Sequence, residues 1–482
     1  MKVLFVALSS SYVHTLLSAR YLAANSPVPV EIYETNVNID LAKNTDFIVK
    51  KQPDVLAFSC YIFNISYIKK LIVSVRNFLP EVKIVFGGYE AAFNEKELAP
   101  YYDYLIKGEG DFSFGKLLEK IENHEIDIPK IIDSGTVKNL DEIRSPYTDE
   151  YLSFSAKNKI VYMETCRGCP FSCAYCMSAS TRGVRGFSMD RIFSDFKKIM
   201  TFSPPLVKLV DRTFNYDVKR AEKILSFLID TYGTSGTRFH FEMAPELFSE
   251  DLFGTIERAP KGLFQFEIGV QSYCPETLEA VNRRADTTRV DANLARLLSF
   301  GNVPIHVDLI AGLPKENKAS FIDGFNRLIA LRPDCLQLGF LKILKGSKIA
   351  ETQDKGYRTE QEPPYEILCS PDMTEDDLAE LKKAEWTLNL FYNSDRFHTS
   401  IRFLLDRSEN AYELFLSLEE AFRKTGFEKK NLSSSRQCDL LYEYGKERFR
   451  KEDVEILEKK IYEDYVSAGN VRKWHKWLFR QK

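Results

Sequence analysis

From Met1 to about residue 125 short apolar runs alternate with helical patterns, and this alternation constrains the fold more than any other feature. KVLFVAL (2–8), VEIYET (30–35), DVLAFSC (54–60), KIVFGG (83–88) and YLIKGEG (104–110) read as strands. The segments 13–24, 40–51, 64–79, 94–100 and 111–123 read as helices. Strand–helix alternation predicts a doubly wound parallel sheet. In such a sheet ligands lie beyond the carboxyl ends of the strands. Ser9 to Ser11, Ser59 to Tyr61, Gly87–Gly88 and Gly108-Glu109-Gly110 fall there.

Residues 126–158 carry Pro129, Gly135 and Pro146 with little periodicity and read as a linker. From 159 a second series begins: KIVYMET, VKLVDRTF, TRFHFEMAP, GLFQFEIGVQS, VPIHVDLIAGLP and CLQLGFLKIL. Six strands with intervening helices fit a partial (β/α)6 barrel, whose chemistry sits at the C-terminal strand ends. Beyond about 350 the strand signals fade. TEDDLAELKKAEWTLNLFYNSDRF (374–397), with Thr374 as N-cap, and KEDVEILEKKIYEDYVSAG (451–469) predict a helical accessory region. The expected organisation is therefore α/β, with domains at 1–125, 159–350 and 351–482 and a linker at 126–158.

A chain of 482 residues, 44% hydrophobic and 28% charged, is long enough for several cores and has no disordered signature. A net charge of -3 excludes a general basic field for nucleic acid, leaving only local patches. No run approaches the roughly 18 apolar residues of a membrane span. MKVLFVALSS reads as a buried first strand and not as a signal peptide. The expected compartment is the cytoplasm, where nine cysteines are reduced thiols or metal ligands.

Four of those cysteines, Cys166, Cys169, Cys173 and Cys176, crowd into ETCRGCPFSCAYC (164–176), just after the first strand of the second series. Zinc knuckles are usually separated by a dozen or more residues, and only three lie between Cys169 and Cys173. A disulfide framework does not suit a reducing compartment. Packing alone does not call for repeated thiols in a loop containing Gly and Pro. Cys169, Cys173 and Cys176 suit three corners of a [4Fe–4S] cube, leaving the fourth iron for a chelating substrate. Cys166 is then a surplus neighbour or core residue.

This spacing, with Pro170 after the first ligand and Tyr175 before the last, resembles the radical S-adenosylmethionine (SAM) superfamily. The resemblance extends over 160–345. Tyr175, Glu242, Gln271, Ser272, Arg283 and Asp308 stand where the oxygen-independent coproporphyrinogen oxidase branch places SAM-binding groups. It implies carboxylates and an amide on the SAM amino group and ribose, and an arginine on its carboxylate. Asp211 points from a strand end toward SAM, substrate or a structural loop contact, and Gly312 to Pro314 reads as backbone shaping.

The series SSS, SCY, GGYE, GEGD ahead of such a core resembles the cobalamin-binding domain of cobalamin-dependent radical SAM enzymes. It implies a corrin contacted at Ser10, Ser59, Tyr61, Gly87, Gly88, Gly108, Glu109 and Gly110, with glycines admitting close backbone approach. No Asp-x-His motif is present, so the corrin is expected without a histidine beneath its metal. His14 is expected to cap a helix or touch the corrin. Cys60, Cys274, Cys335, Cys369 and Cys438 default to core burial.

The resemblance implies an enzyme that uses a [4Fe–4S] cluster, SAM and cobalamin, most directly a methyltransferase at an unactivated carbon. It implies a one-electron reductant such as flavodoxin or ferredoxin and a substrate that is a small molecule, peptide or RNA. A non-methylating rearrangement or cyclisation is the alternative. The basic tail VRKWHKWLFRQK (471–482) gives a second alternative, an RNA-modifying enzyme, although an amphipathic terminal helix is the commoner explanation of such a tail.

Overall fold

The computed structural model describes residues 1–181, 183–352, 356–429 and 432–469. It divides into two compact units, Met1–Phe266 with Lys342–Asp354 and Thr359–Glu366, and Glu267–Leu341 with Lys355–Arg358 and Ile367–Lys482. The basic stretch 471–482 lies outside the described residues.

In the first unit, β1 (Val3–Ser9), β2 (Val30–Asn36), β3 (Val55–Ser59), β4 (Lys83–Gly87), β5 (Tyr104–Lys107) and β6 (Ile131–Asp133) form a parallel sheet in the order β2-β1-β3-β4-β5-β6. The crossovers are α1 (Leu17–Ala24), α2 (Leu41–Lys51), α3 (Ile65–Arg76), the short α4 (Tyr89–Phe93) and α5 (Glu95–Leu98), and α6 (Ser113–Glu122). Every residue of β1 is buried, because alternate side chains serve two cores. Leu4, Val6 and Leu8 pack with Ile48 of α2 and Ile68 and Leu71 of α3. Val3, Phe5 and Ala7 pack with Ala19 of α1 and Phe114 and Leu117 of α6. The strand order reverses between β1 and β3, which puts the ligand crevice of this sheet type at the Ser9 and Ser59 ends.

The segment read as a linker contributes the edge strand β6 and α7 (Asp149–Ser155). β6 is three residues long and only its central residue is partly covered, so it leaves no apolar run to read. The same unit then carries β7 (Val161–Met163), the antiparallel hairpin β8 (Cys166–Cys169) and β9 (Gly183–Gly186), β10 (Leu206–Leu209), β11 (Arg238–Met243) and the start of β12 (Phe264–Gln271). β7, β10, β11 and β12 neighbour one another in that order, with β10 parallel to β7 and to β11. The helices α8 (Met189–Met200), α9 (Val218–Tyr232) and α10 (Glu250–Glu257) make the crossovers.

The second unit holds the rest of β12, then α11 (Pro275–Ala280), α12 (Thr287–Phe300), β13 (Ile305–Ala311), α13 (Lys318–Ala330) and β14 (Cys335–Phe340), with β13 and β14 parallel. Burial alternates strictly along β12 and β13. Ile268, Val270, Val307 and Leu309 are buried, whereas Glu267, Gln271, His306 and Asp308 share the partly open face.

The C-terminal part is helical as expected: α14 (Glu375–Thr387), α15 (His398–Asp406), α16 (Ala411–Lys424), α17 (Ser434–Arg448) and α18 (Lys451–Ser467). Thr374 caps α14 in a reciprocal capping box with Asp377. The single helix expected over 374–397 instead passes into a π-helical turn, Leu388–Tyr392. That wide turn delivers Asn393 to β14, where its side chain accepts from the Leu336 amide at 3.0 Å and donates to the Leu336 carbonyl at 2.8 Å. Among the described residues no helix is long and apolar enough to cross a membrane.

Asp464 of α18 is 3% exposed and caps α15 from outside that helix. It accepts from the Thr399 amide at 3.0 Å and hydroxyl at 2.9 Å, and from the Ser400 amide at 2.8 Å and hydroxyl at 2.5 Å. Asp464→Ala leaves the Thr399 amide and the buried Ser400 amide and hydroxyl without this acceptor, the Thr399 hydroxyl keeping the Lys460 carbonyl, and is expected to destabilise the chain by about 2 kcal/mol. Asp464→Asn is expected to lose less. Urea unfolding followed by circular dichroism measures both, and equal stability of Asp464→Ala and the parent would refute the assignment.

Candidate cofactor site

The chain leaves β7 at Glu164 and is fastened within two residues. Asp211, 1% exposed at the end of β10, accepts from the amides of Thr165 at 2.7 Å and Cys166 at 3.1 Å, and also from the Thr165 hydroxyl. Arg220 of α9 donates to the Thr165 carbonyl at 2.5 Å. Asp211 is therefore occupied by the loop's own backbone, the structural option among its expected roles. Next comes the β8–β9 hairpin, which the sequence did not reveal. Gly168 has φ +96°, and a Cβ there would collide with the carbonyl oxygen of Gly183. No other residue fits so close a strand approach.

The hairpin carries the thiol loop between its strands. Cys169 ends β8, with its Sγ 3.4 Å from the Thr213 hydroxyl. The Cys176 amide donates to the Cys173 carbonyl at 3.1 Å, closing the turn that holds Ala174 and Tyr175, and the Ile349 amide braces that turn through the Ala174 carbonyl at 2.9 Å. All four thiols are free of disulfides.

Their environments differ. Cys166 is 3% exposed, and burial together with the adjacent Asp211 carboxylate pushes its thiol far above the usual range. Cys169 and Cys176 are half-buried, and Cys173 is 6% exposed. Among the described residues no three His, Cys, Asp or Glu side chains are placed to hold a single ion. A preformed tetrahedral zinc site needs such convergence. A cube with separated corners does not, so the donor set of three loop thiols fits an iron–sulfur cluster.

The expected corrin loops lie at strand ends of the same unit, but several of their residues have internal occupations. A Cβ on Gly88, φ +91°, would sit 2.6 Å from the Cys60 carbonyl oxygen, and one on Gly108, φ +82°, would strike Gly135. These glycines admit neighbouring backbone. The Glu109 carboxylate is also engaged, accepting from the Val137 amide at 2.7 Å and pairing with Arg185 and, at 3.4 Å, with Arg167. Ser59 is 5% exposed, its hydroxyl 3.0 Å from that of Ser18. Ser10 is exposed, Gly87 and Gly110 are half-buried, and Tyr61 stacks on Phe63 with ring centroids 5.4 Å apart. Phe63, Tyr89 and Phe93 are 44%, 43% and 40% exposed, an aromatic surface at these strand ends that suits a flat macrocycle. His14 does not cap α1, and its Nδ1 lies 2.6 Å from the Tyr162 hydroxyl of β7. Burial, then Lys208 and Lys159, lower its pKa.

The residues expected at SAM fall in both units. In the first, Tyr175 is half-buried in the thiol turn and Glu242 lies 3.9 Å from Arg212. Arg212 is a residue the sequence reading missed. Desolvation opposes its charge, and Glu242, Cys176, Tyr89 and Tyr61 outweigh that cost. In the second unit, Gln271 ends β12 with φ +73°, Asp308 is half-buried on β13, and Arg283 donates to the Gly269 carbonyl at 2.5 Å. Ser272 is 1% exposed and is committed internally, donating to Glu316 at 2.6 Å and accepting from the Cys274 amide at 3.0 Å. That burial corrects its expected contact with SAM.

Glu316, also missed, is 1% exposed. Desolvation pushes its carboxyl up to about 7, against a reference of 4.5. The folded chain thus holds this proton more tightly than the unfolded chain. The group's contribution is most favourable below pH 4.5 and declines as pH rises from 4.5 through about 7. Glu316→Gln is expected to match the parent near pH 5 and to exceed it above pH 7 by about 2 kcal/mol. Urea unfolding at the two pH values tests this, and a variant equally or less stable at the higher pH would contradict it.

Comparison with known proteins adds three family matches: the B12 binding domain over residues 3–118, the radical SAM superfamily over 163–328 and a protein family of unknown function, DUF4080, over 353–482. The chain is 26% identical over 416 residues, 78% of its length and 60% of the relative's, to the cobalamin-dependent radical SAM methyltransferase TokK of Streptomyces tokunonensis. It is 32% identical over 171 residues, 31% of its length and 33% of the relative's, to the hopanoid C-3 methylase of Methylococcus capsulatus. It spans less than two thirds of either relative. The structure of the cobalamin-dependent S-adenosylmethionine radical enzyme OxsB with aqua-cobalamin bound is similar in fold, with TM-score 0.66 at 12% identity, covering 99% of this chain and 84% of that one. A B12 binding domain match over residues 3–118 thus precedes a radical SAM superfamily match over 163–328 that spans the thiol loop.

Proposed function

We propose that this chain is a methyltransferase that places a methyl group on an unactivated carbon, using a [4Fe–4S] cluster, SAM and cobalamin. The observation that carries the reading is the presence, within one compact unit, of a three-thiol loop and a doubly wound sheet with aromatic side chains exposed at its strand ends. Similarity to proteins named as methyltransferase and methylase supports methyl transfer over other radical outcomes.

When bound, the cluster and SAM supply a 5′-deoxyadenosyl radical that takes a substrate hydrogen atom, and methylated cobalamin supplies the methyl group. Cys169, Cys173 and Cys176 would hold three corners of the cluster, and the fourth would be open to SAM. Glu242, in the unit that carries the thiol loop, would be a carboxylate for the SAM amino group or ribose. Tyr175 sits in the turn between the last two ligands. Ser10, Tyr61, Gly87 and Gly110 border the corrin. The Asp211 anchor fixes the entry to the thiol loop. The remaining parts of the reading are domain limits at 1–125, 159–350 and 351–482, a cytoplasmic setting, and a flavodoxin- or ferredoxin-like electron donor.

Anaerobic reconstitution with iron, sulfide and hydroxocobalamin, followed by reaction with methyl-labelled SAM and candidate substrates, tests the proposal. Label in the product together with 5′-deoxyadenosine supports it. Turnover with no label in the product replaces methyl transfer with rearrangement or cyclisation. Changing Cys169, Cys173 or Cys176 to Ala is expected to abolish the cluster's visible absorption and 5′-deoxyadenosine formation. Cys166→Ala is expected to keep both, and loss of iron from that variant would put Cys166 among the ligands.

A further inference from the structure

The β8–β9 hairpin that carries the iron-ligating loop is a poor structure by itself. Each strand has four residues, two strands alone are marginally stable in water, and the register sets Arg167 directly opposite Arg185. Like charges at facing positions repel, so something outside the hairpin must hold it shut.

That support is the turn beyond β5, residues Glu109 to Asp111. Arg167 donates to both oxygens of Asp111, at 2.6 and 3.1 Å, and approaches Glu109 at 3.4 Å and Glu164 at 3.0 Å. Its guanidinium also lies over the Tyr21 ring, 5.4 Å from the centroid. Arg185 pairs with both oxygens of Glu109 and donates to the Val137 carbonyl. The side chains of Arg167, Arg185, Glu109 and Asp111 are 13%, 20%, 17% and 5% exposed. Half-desolvated ion pairs of this kind are costly to open, because each partner would be left as a buried charge. The turn they grip follows a strand of the B12-binding sheet at its carboxyl end, on the side where that sheet type takes its ligand.

We propose that Arg167 and Arg185 are positioning residues that tie the thiol loop to the Glu109–Asp111 turn, so that filling the corrin site also orders the iron site. The inference rests on the reading that the N-terminal sheet holds cobalamin. Binding at one site is thereby linked to order at the other through a shared turn, and the linkage is reciprocal.

The test uses the full chain without iron and with hydroxocobalamin as the probe, following amide hydrogen exchange in 166–169 and 183–186. In the parent, saturating hydroxocobalamin is expected to slow exchange there by about fivefold or more. In Arg185→Gln, with hydroxocobalamin still bound, the slowing over 183–186 is expected to fall below about twofold, since the Arg185–Glu109 pair is cut while Arg167 still holds Asp111. Exchange unaffected by bound corrin in the parent, or slowed equally in the variant, overturns the coupling. A parent that retains no hydroxocobalamin on gel filtration overturns the reading beneath it. If Arg185→Gln does not fold by far-ultraviolet circular dichroism, Glu109→Gln, equal in shape and outside the hairpin, carries the same comparison. Restored slowing in the Arg185→Glu, Glu109→Arg double variant supports the ion pair as the link.

Discussion

The thiol loop depends on one buried carboxylate. Asp211 reaches from the end of β10 to the chain leaving β7 and gathers the amides of Thr165 and Cys166. A carboxylate in so dry a place is costly: burial raises its pKa, and the Thr165 and Cys166 donors with nearby Arg220 counter that cost. The same group also acts on a neighbouring thiol. Burial, and then the Asp211 charge, disfavour a Cys166 thiolate.

Two kinds of element were legible in the sequence. Strands buried on both faces, such as β1 and β3, appear as continuous apolar runs, and β12 and β13 appear through their alternation. The helix cap at Thr374 was equally plain. The β8–β9 hairpin was not, because CRGC and GVRG have neither β-branched runs nor alternation. Its existence depends on Gly168 meeting Gly183 and on carboxylates more than fifty residues earlier in the chain. β6 and the π-helical turn escaped for the same reason, being set by tertiary partners such as Leu105 and Leu336.

The candidate site shows the same division. Cysteine spacing carries its own chemistry and could be read directly. A residue such as Glu316 could not, because its importance lies in being buried behind Ser272, and neither burial nor that pairing across 44 positions leaves a local mark. GEGD was noticed for its glycines, yet its acidic residues are the part the structure uses most visibly, as partners for Arg167 and Arg185. A motif seen as a ligand loop can thus also be a structural joint.

That dual role bears on how the N-terminal sheet would recognise a corrin. Gly88 and Gly108 are fixed by contacts with Cys60 and Gly135, and Ser59 by its hydrogen bond to Ser18. Small residues at the strand ends therefore shape the rim of the crevice before any ligand arrives. Discrimination then falls to the side chains that project from the rim. Tyr61 and Phe63 stack with planes only 10° apart, and Tyr89 and Phe93 with planes 3° apart, so two nearly flat aromatic pairs stand where β3 and β4 end. His14, by contrast, is turned away to the Tyr162 hydroxyl of β7, so the side chains that stand clear at these strand ends are aromatic.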